Sequence, residues 1–122
     1  MKTLVTKIIK FETAHQLTDS YSKECQNIHG HSYCLEASFE GEINCHTGMI
    51  IDFKFIKESL QDVIDKYDHK FFTKENFDEK NPTAENMAMD IFYMIRNNSK
   101  VGLMLTKVKL WETNSCCVEV KY

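Results

Sequence analysis

With one proline and four glycines in 122 residues, the chain has no Pro/Gly-rich linker. It also lacks internal repeats and low-complexity tracts, so one domain is expected over residues 1–122. No apolar run approaches the roughly 20 residues needed to cross a bilayer. The opening Met1-Lys2-Thr3-Leu4-Val5-Thr6-Lys7 has no uninterrupted apolar core of the kind an export signal carries. Lysine and arginine form no cluster, and a net charge of −3 argues against a phosphate-backbone partner. The five cysteines (25, 34, 45, 116 and 117) are odd in number and lack disulfide-scaffold spacing. The expectation is a cytoplasmic protein with reduced thiols, binding neither membrane nor nucleic acid.

What is present is ordinary globular material, 43% hydrophobic and 27% charged. Val5, Ile8, Ile9 and Phe11 lie in a mixed segment that predicts a first strand over residues 3–14, ending at His15. Tyr33, Leu35, Ala37 and Phe39 alternate with Cys34, Glu36, Ser38 and Glu40, a period of two that predicts a second. After Asp52, a plausible N-cap, Phe53, Ile56, Leu60, Val63, Ile64 and Tyr67 recur at helical spacing. A second helix follows Pro82-Thr83, with Ala84, Met87, Ala88, Ile91, Met94 and Ile95 on one face, and ends at Asn97-Asn98-Ser99. Met104, Thr106, Val108, Leu110 and Glu112 then share one face of a third strand, and Val118, Val120 and Tyr122 one face of a fourth. The order ββααββ predicts an α+β fold in which two helices cover one face of a four-stranded antiparallel sheet.

Chemistry concentrates in Cys25-Gln26-Asn27-Ile28-His29-Gly30-His31 and in His15. Residues two apart on a strand point to one face, so an extended His29-Gly30-His31 aims both imidazoles at one point. Three neutral imidazoles with a fourth position open are the ligand set of a catalytic zinc. Cys25 is close enough to be a fourth ligand, or else a separate nucleophile or base whose thiol a nearby cation would acidify. Asp68-His69 closes the first helix; the helix dipole accounts for a histidine there, and so does an acid–imidazole pair that moves protons. Glu112 ends an inward-facing row, where a carboxylate needs a partner: a protein cation, or a ligand with two parallel N–H donors. Glu85, in the first turn of the second helix, suits the dipole. His46 sits in a polar turn, and Cys116-Cys117 reads as strand filling.

Phe11-Glu-Thr-Ala-His15, Cys25-x-x-x-His29-Gly-His31, Gly41-Glu, Thr47-Gly-Met-Ile-Ile-Asp52-Phe, Asp68-His69, Pro82-Thr-Ala-Glu85-Asn and Glu112-Thr occur together and in this order. In these motifs the chain resembles the pyruvoyl-tetrahydropterin synthase superfamily, and within it the bacterial 6-carboxy-tetrahydropterin synthases of queuosine biosynthesis. The resemblance covers nearly the whole chain. It implies the tunnelling fold, with trimers forming a barrel and two trimers stacked as a homohexamer with sites between subunits. It implies Zn2+ held by His15, His29 and His31, with Cys25 as catalytic base and Asp68 and His69 as its proton-relay partners. It implies Glu112 as the anchor of the pterin ring, and Thr83 and Glu85 as a second pterin-contacting segment. The implied reaction converts 7,8-dihydroneopterin triphosphate to 6-carboxy-5,6,7,8-tetrahydropterin, acetaldehyde and triphosphate. Elimination of triphosphate alone, as by a 6-pyruvoyl-tetrahydropterin synthase, is the nearest alternative. A non-enzymatic interaction domain with a closed structural zinc is the alternative from another class. The chain departs from the family at Thr13, where Ala or Ser is common, at Gln16, where Arg is, and at Asn44-Cys45, where Asp-Pro is.

Overall fold

The computed structural model describes residues 1–18, 23–24 and 26–122. Two long strands, Thr3–His15 (β1) and His29–Gly41 (β2), pair antiparallel along their whole length, from Thr3 opposite Gly41 to His15 opposite His29. Helix α1 (Phe53–Tyr67), strand β3 (Lys70–Phe72), helix α2 (Ala84–Arg96), a 3-10 turn (Gly102–Met104), strand β4 (Leu105–Trp111) and strand β5 (Cys117–Lys121) follow. The sheet order is β3-β1-β2-β4-β5.

The expected architecture holds, with one addition. The sheet has five strands rather than four and is mixed, because the three-residue β3 pairs parallel with Thr13–His15. Three residues are too few to show a period in sequence. Both helix starts are capped: the Asp52 side chain accepts from the Lys54 N–H at 2.9 Å, and Thr83 Oγ1 from the Asn86 N–H at 3.2 Å. The helices bury Ile56, Leu60, Val63 and Tyr67 from α1, and Met87, Ala88, Ile91 and Ile95 from α2, against one sheet face. That face supplies Phe11, Tyr33, Leu35, Ala37, Phe39, Val108 and Leu110, each at most 2% exposed. Phe53, counted on the apolar stripe of α1, instead stands exposed at its first position.

An irregularity between Ser38 and Phe39 changes what β4 buries. It brings Leu105 opposite Phe39, so Leu105 enters the core although Val108 and Leu110 have the other parity. Met104 belongs to the preceding turn and is half-buried. Among the described residues no helix covers the opposite sheet face. It is lined by polar cross-strand contacts: Thr6 to Ser38 at 2.8 Å, the Trp111 indole N–H donating to Glu36 at 2.6 Å, and Lys107 beside Glu119 at 3.6 Å. No helix among the described residues is long and apolar enough to cross a membrane.

Gly102 opens the turn that returns the chain from α2 to β4. A Cβ there would lie 2.0 Å from the Arg96 carbonyl oxygen, a backbone atom with nowhere to go. Gly102→Ala is therefore expected to cost on the order of 2–4 kcal/mol, as overpacking against fixed backbone does. Urea unfolding of the two proteins at one pH measures it, and an unchanged midpoint would refute the steric account.

Candidate functional site

β1 and β2 end together, and their ends bring the histidines into one cluster. His15 lies opposite His29 in the ladder, while His31 continues the row of Tyr33 and Leu35 on the helix-covered face. The three rings meet edge to face, with centroids 4.4 Å apart for His15–His29, 5.2 Å for His15–His31 and 5.1 Å for His29–His31. One nitrogen from each lies within 4.8 Å of the other two.

Hydrogen bonds settle which nitrogens these are. His15 Nδ1 is 2.8 Å from the Pro82 carbonyl and His29 Nδ1 is 2.8 Å from the Asn27 carbonyl. A carbonyl oxygen only accepts, so both Nδ1 atoms carry the proton, and each neutral ring has its lone pair on Nε2. Those two Nε2 atoms face each other at 2.8 Å. His31 Nε2 is buried with no hydrogen-bond partner among the described residues. Facing lone pairs and an orphaned buried nitrogen are unfavourable as they stand. A cation shared by the three resolves both, and the donor set, three imidazoles of which two are oriented by backbone carbonyls, fits a zinc-like metal ion.

His15 is 1% exposed, and burial, only partly offset by its bond to Pro82, lowers its pKa from 6.5 to about 4. The ring is therefore neutral near pH 7 and ready as a ligand. Tyr33 stacks on Phe11 and brings its hydroxyl within 3.4 Å of His15 Nδ1. Burial, and then the nearby Glu112 carboxylate, push its pKa up, so it stays a neutral phenol. Glu112 lies just beyond the end of β4, with Oε1 3.5 Å from His31 Nε2. Beside it a shallow pocket is lined by Ala84, Glu85, Cys116, Cys117 and Val118. Glu85 is exposed and Thr83 caps α2. Cys116 and Cys117 are exposed at the start of β5 rather than packed into it, which corrects the expectation of strand filling.

The Asp68–His69 pair does not join this cluster within one chain. Asp68 Oδ2 is 3.0 Å from His69 Nδ1. The Asp68 pKa is lowered, first by the hydrogen bond from the Glu12 N–H and then by His69. His69 borders a cleft that Glu12, Thr13, Ala14, Gly30, His31 and Ser32 also line, at the end of the β1–β2 pair. Cys25 lies outside the described residues. Tyr33 was detectable in the sequence by its parity with His31. Pro82 and Asn27 were not, because each contributes a backbone carbonyl.

A family model described as 6-pyruvoyl tetrahydropterin synthase matches residues 4–122. The chain is 33% identical to dihydroneopterin monophosphate aldolase of Pyrococcus furiosus, covering 100% of both chains. It is 31% identical to 6-carboxy-5,6,7,8-tetrahydropterin synthase of Rickettsia bellii over 94% of this chain and 97% of that one. In structure it resembles 6-pyruvoyl tetrahydropterin synthase of Caenorhabditis elegans, with a TM-score of 0.87 at 25% identity, covering 100% of this chain and 96% of the other.

The neutral, buried His15 makes the metal-free protein acid-sensitive. Below pH 6.5 the unfolded chain takes up a proton that the folded chain refuses until about pH 4, so stability falls as pH drops through that window. The loss is on the order of 3 kcal/mol across the window. Chelator-treated protein unfolded in urea at pH 7 and pH 4.5 reads it. The difference should shrink in His15→Gln; equal differences in both proteins would assign the acid sensitivity elsewhere.

Proposed function

Since the chain belongs to the 6-pyruvoyl tetrahydropterin synthase family, we propose that it is a zinc-dependent 6-carboxy-tetrahydropterin synthase, a carbon–carbon lyase working in the cytoplasm in queuosine (7-deazaguanine) biosynthesis. It would act as one pterin synthase-like domain spanning residues 1–122. The reaction converts 7,8-dihydroneopterin triphosphate and water to 6-carboxy-5,6,7,8-tetrahydropterin, acetaldehyde and triphosphate. The observation that carries this reading is the trio of inward-facing Nε2 atoms beside the Glu112 carboxylate.

His15, His29 and His31 would hold the zinc, which when bound supplies Lewis acidity toward the hydroxyl oxygens of the substrate side chain. Glu112 accepts two parallel N–H donors from the amidine-like edge of the pterin and so fixes the ring. The pocket beside Glu112, bordered by Glu85 at the first turn of α2, is where that ring would lie. Cys25, as thiolate, removes a side-chain proton; His69, oriented by Asp68, returns or relays it. Tyr33, a neutral phenol with its hydroxyl 3.4 Å from His15 Nδ1, keeps the floor of the site packed.

The partner of each chain is another copy of itself, in a homohexamer built as a dimer of trimers. Two features support this. Along the outer edge of β1, partners are found for Thr13–His15 and for no other residue of that strand among those described. An edge of that length is normally covered. Also, among the described residues Asp68 and His69 bond each other and Glu12 and none of the three histidines, as expected if the pair serves a neighbour's triad.

A second reading draws on the Pyrococcus furiosus relative, whose name is that of an aldolase. The same metal, base and ring anchor would suit retro-aldol cleavage of dihydroneopterin monophosphate to 6-hydroxymethyl-7,8-dihydropterin and glycolaldehyde phosphate. Purified protein given the triphosphate and the monophosphate separately, with products identified by mass, decides between them. The main reading expects the carboxy product and acetaldehyde from the triphosphate. A product retaining every side-chain carbon would indicate pyruvoyl chemistry, and turnover of the monophosphate alone would indicate the aldolase.

Cys25→Ala is expected to keep zinc and bind pterin while turnover falls about a hundredfold or more, the scale of a lost general base. Loss of zinc in that variant would make Cys25 a ligand and favour a closed structural site. Mixing inactive His29→Ala with inactive His69→Ala protein should restore part of the activity, because mixed subunits assemble intact sites. No recovery from demonstrably mixed oligomers would count against shared sites.

A further inference from the structure

Thr13 joins the strand that carries the histidines to the end of α1. It is 3% exposed, and its hydroxyl donates to the Tyr67 carbonyl at 2.6 Å. Tyr67 is the last residue of α1, so this carbonyl is among those a helix end leaves without an intrahelical donor. The chain then turns sharply. Asp68 is extended, and His69 has φ 57°, in the left-handed region that a residue with a Cβ adopts only when its surroundings enforce it.

The enforcement comes from two neighbouring residues of β1. The Glu12 N–H donates to Asp68 Oδ1 at 2.9 Å, and the Glu12 carbonyl accepts from the His69 N–H at 2.6 Å. Together with the Thr13 bond, consecutive residues 12 and 13 hold consecutive residues 67, 68 and 69. Glu12 uses its backbone, which any residue offers. Thr13 uses a side chain, which makes its bond a property of this sequence. Thr13 also lies opposite His31 in the ladder and two residues before His15 on the same face. It thus sits between the triad and the acid–imidazole pair.

We infer that Thr13 is a positioning residue whose hydroxyl fixes the end of α1, so that Asp68 and His69 are presented in a single conformation. Its catalytic consequence rests on reading His69 as a proton relay; its structural part does not. Without the hydroxyl the Tyr67 carbonyl loses its buried donor, the helix end loosens, and the strained turn at His69 relaxes. His69 then spends less time in line with the group it must reach, and turnover drops while substrate and metal affinity stay as they were.

The experiment compares Thr13→Val, which keeps the shape and removes the donor, with Thr13→Ser, which keeps the donor. Amide hydrogen exchange at His69 reads position; kcat, KM, the pH profile of kcat and zinc content read consequence. Thr13→Val is expected to speed His69 exchange at least tenfold and lower kcat about tenfold, with KM and zinc content unchanged and the pH profile altered. Thr13→Ser should match the parent on every measure. A folded Thr13→Val with parental His69 exchange overturns the inference. His69→Ala separates the two layers: if it turns over normally the relay reading fails, while the exchange data still judge Thr13. Should Thr13→Val not fold, Thr13→Ala replaces it: faster exchange than in Thr13→Ser supports the inference, and equal exchange overturns it.

Discussion

The register between β1 and β2 is the constraint on which the rest of the structure depends. It runs without interruption over thirteen residues on each strand and ends with His15 opposite His29. Because side chains alternate along a strand, a slip of one residue would turn Phe11, Thr13 and His15 away from the helices and expose the apolar row with them. The stack of Phe11 on Tyr33, at a centroid distance of 5.4 Å, lies in the same row as the histidines. The hydrophobic energy that holds the register therefore also holds the three rings together. Burial that stabilises the fold is what places, and keeps neutral, a group that chemistry needs.

The two faces of the sheet divide the work. One is sealed by α1 and α2 and carries the triad at its rim; the other bears polar and charged contacts between strands, with Leu4 and Ile8 exposed among them. The connection from α1 to β3 carries Asp68 and His69 along the edge of β1, where both bond the backbone of Glu12. One chain holds its histidine cluster where β1 and β2 end together and its acid–imidazole pair at the outer edge of β1.

Much of this was legible in the sequence because it follows from parity and period. His29 and His31 share the parity of Tyr33 and Leu35, and the helical stripes of α1 and α2 are long enough to recognise. Glu112 was legible for the same reason, as the polar end of an apolar row. What could not be read has physical causes. β3 is shorter than any period, and the irregularity at Ser38–Phe39 breaks parity without leaving a mark in composition. The left-handed turn at His69 has no glycine to announce it. The carbonyls that orient His15 and His29 belong to residues whose side chains say nothing about the bond.

The chain's single proline has a role beyond starting a helix. Pro82 is buried just before the cap of α2, and its carbonyl holds the proton of His15. The seating of that helix and the ligand strength of that ring are thus two readings of one hydrogen bond. If the start of α2 lifts, His15 is released to place its proton on either nitrogen, and the lone pair at the centre of the triad is no longer assured. By reciprocity, whatever occupies the triad draws the helix down by the same free energy. A pocket bordered by α2 and Glu112 would then tighten when the triad is filled and slacken when it is empty, coupling occupancy to shape without any moving domain.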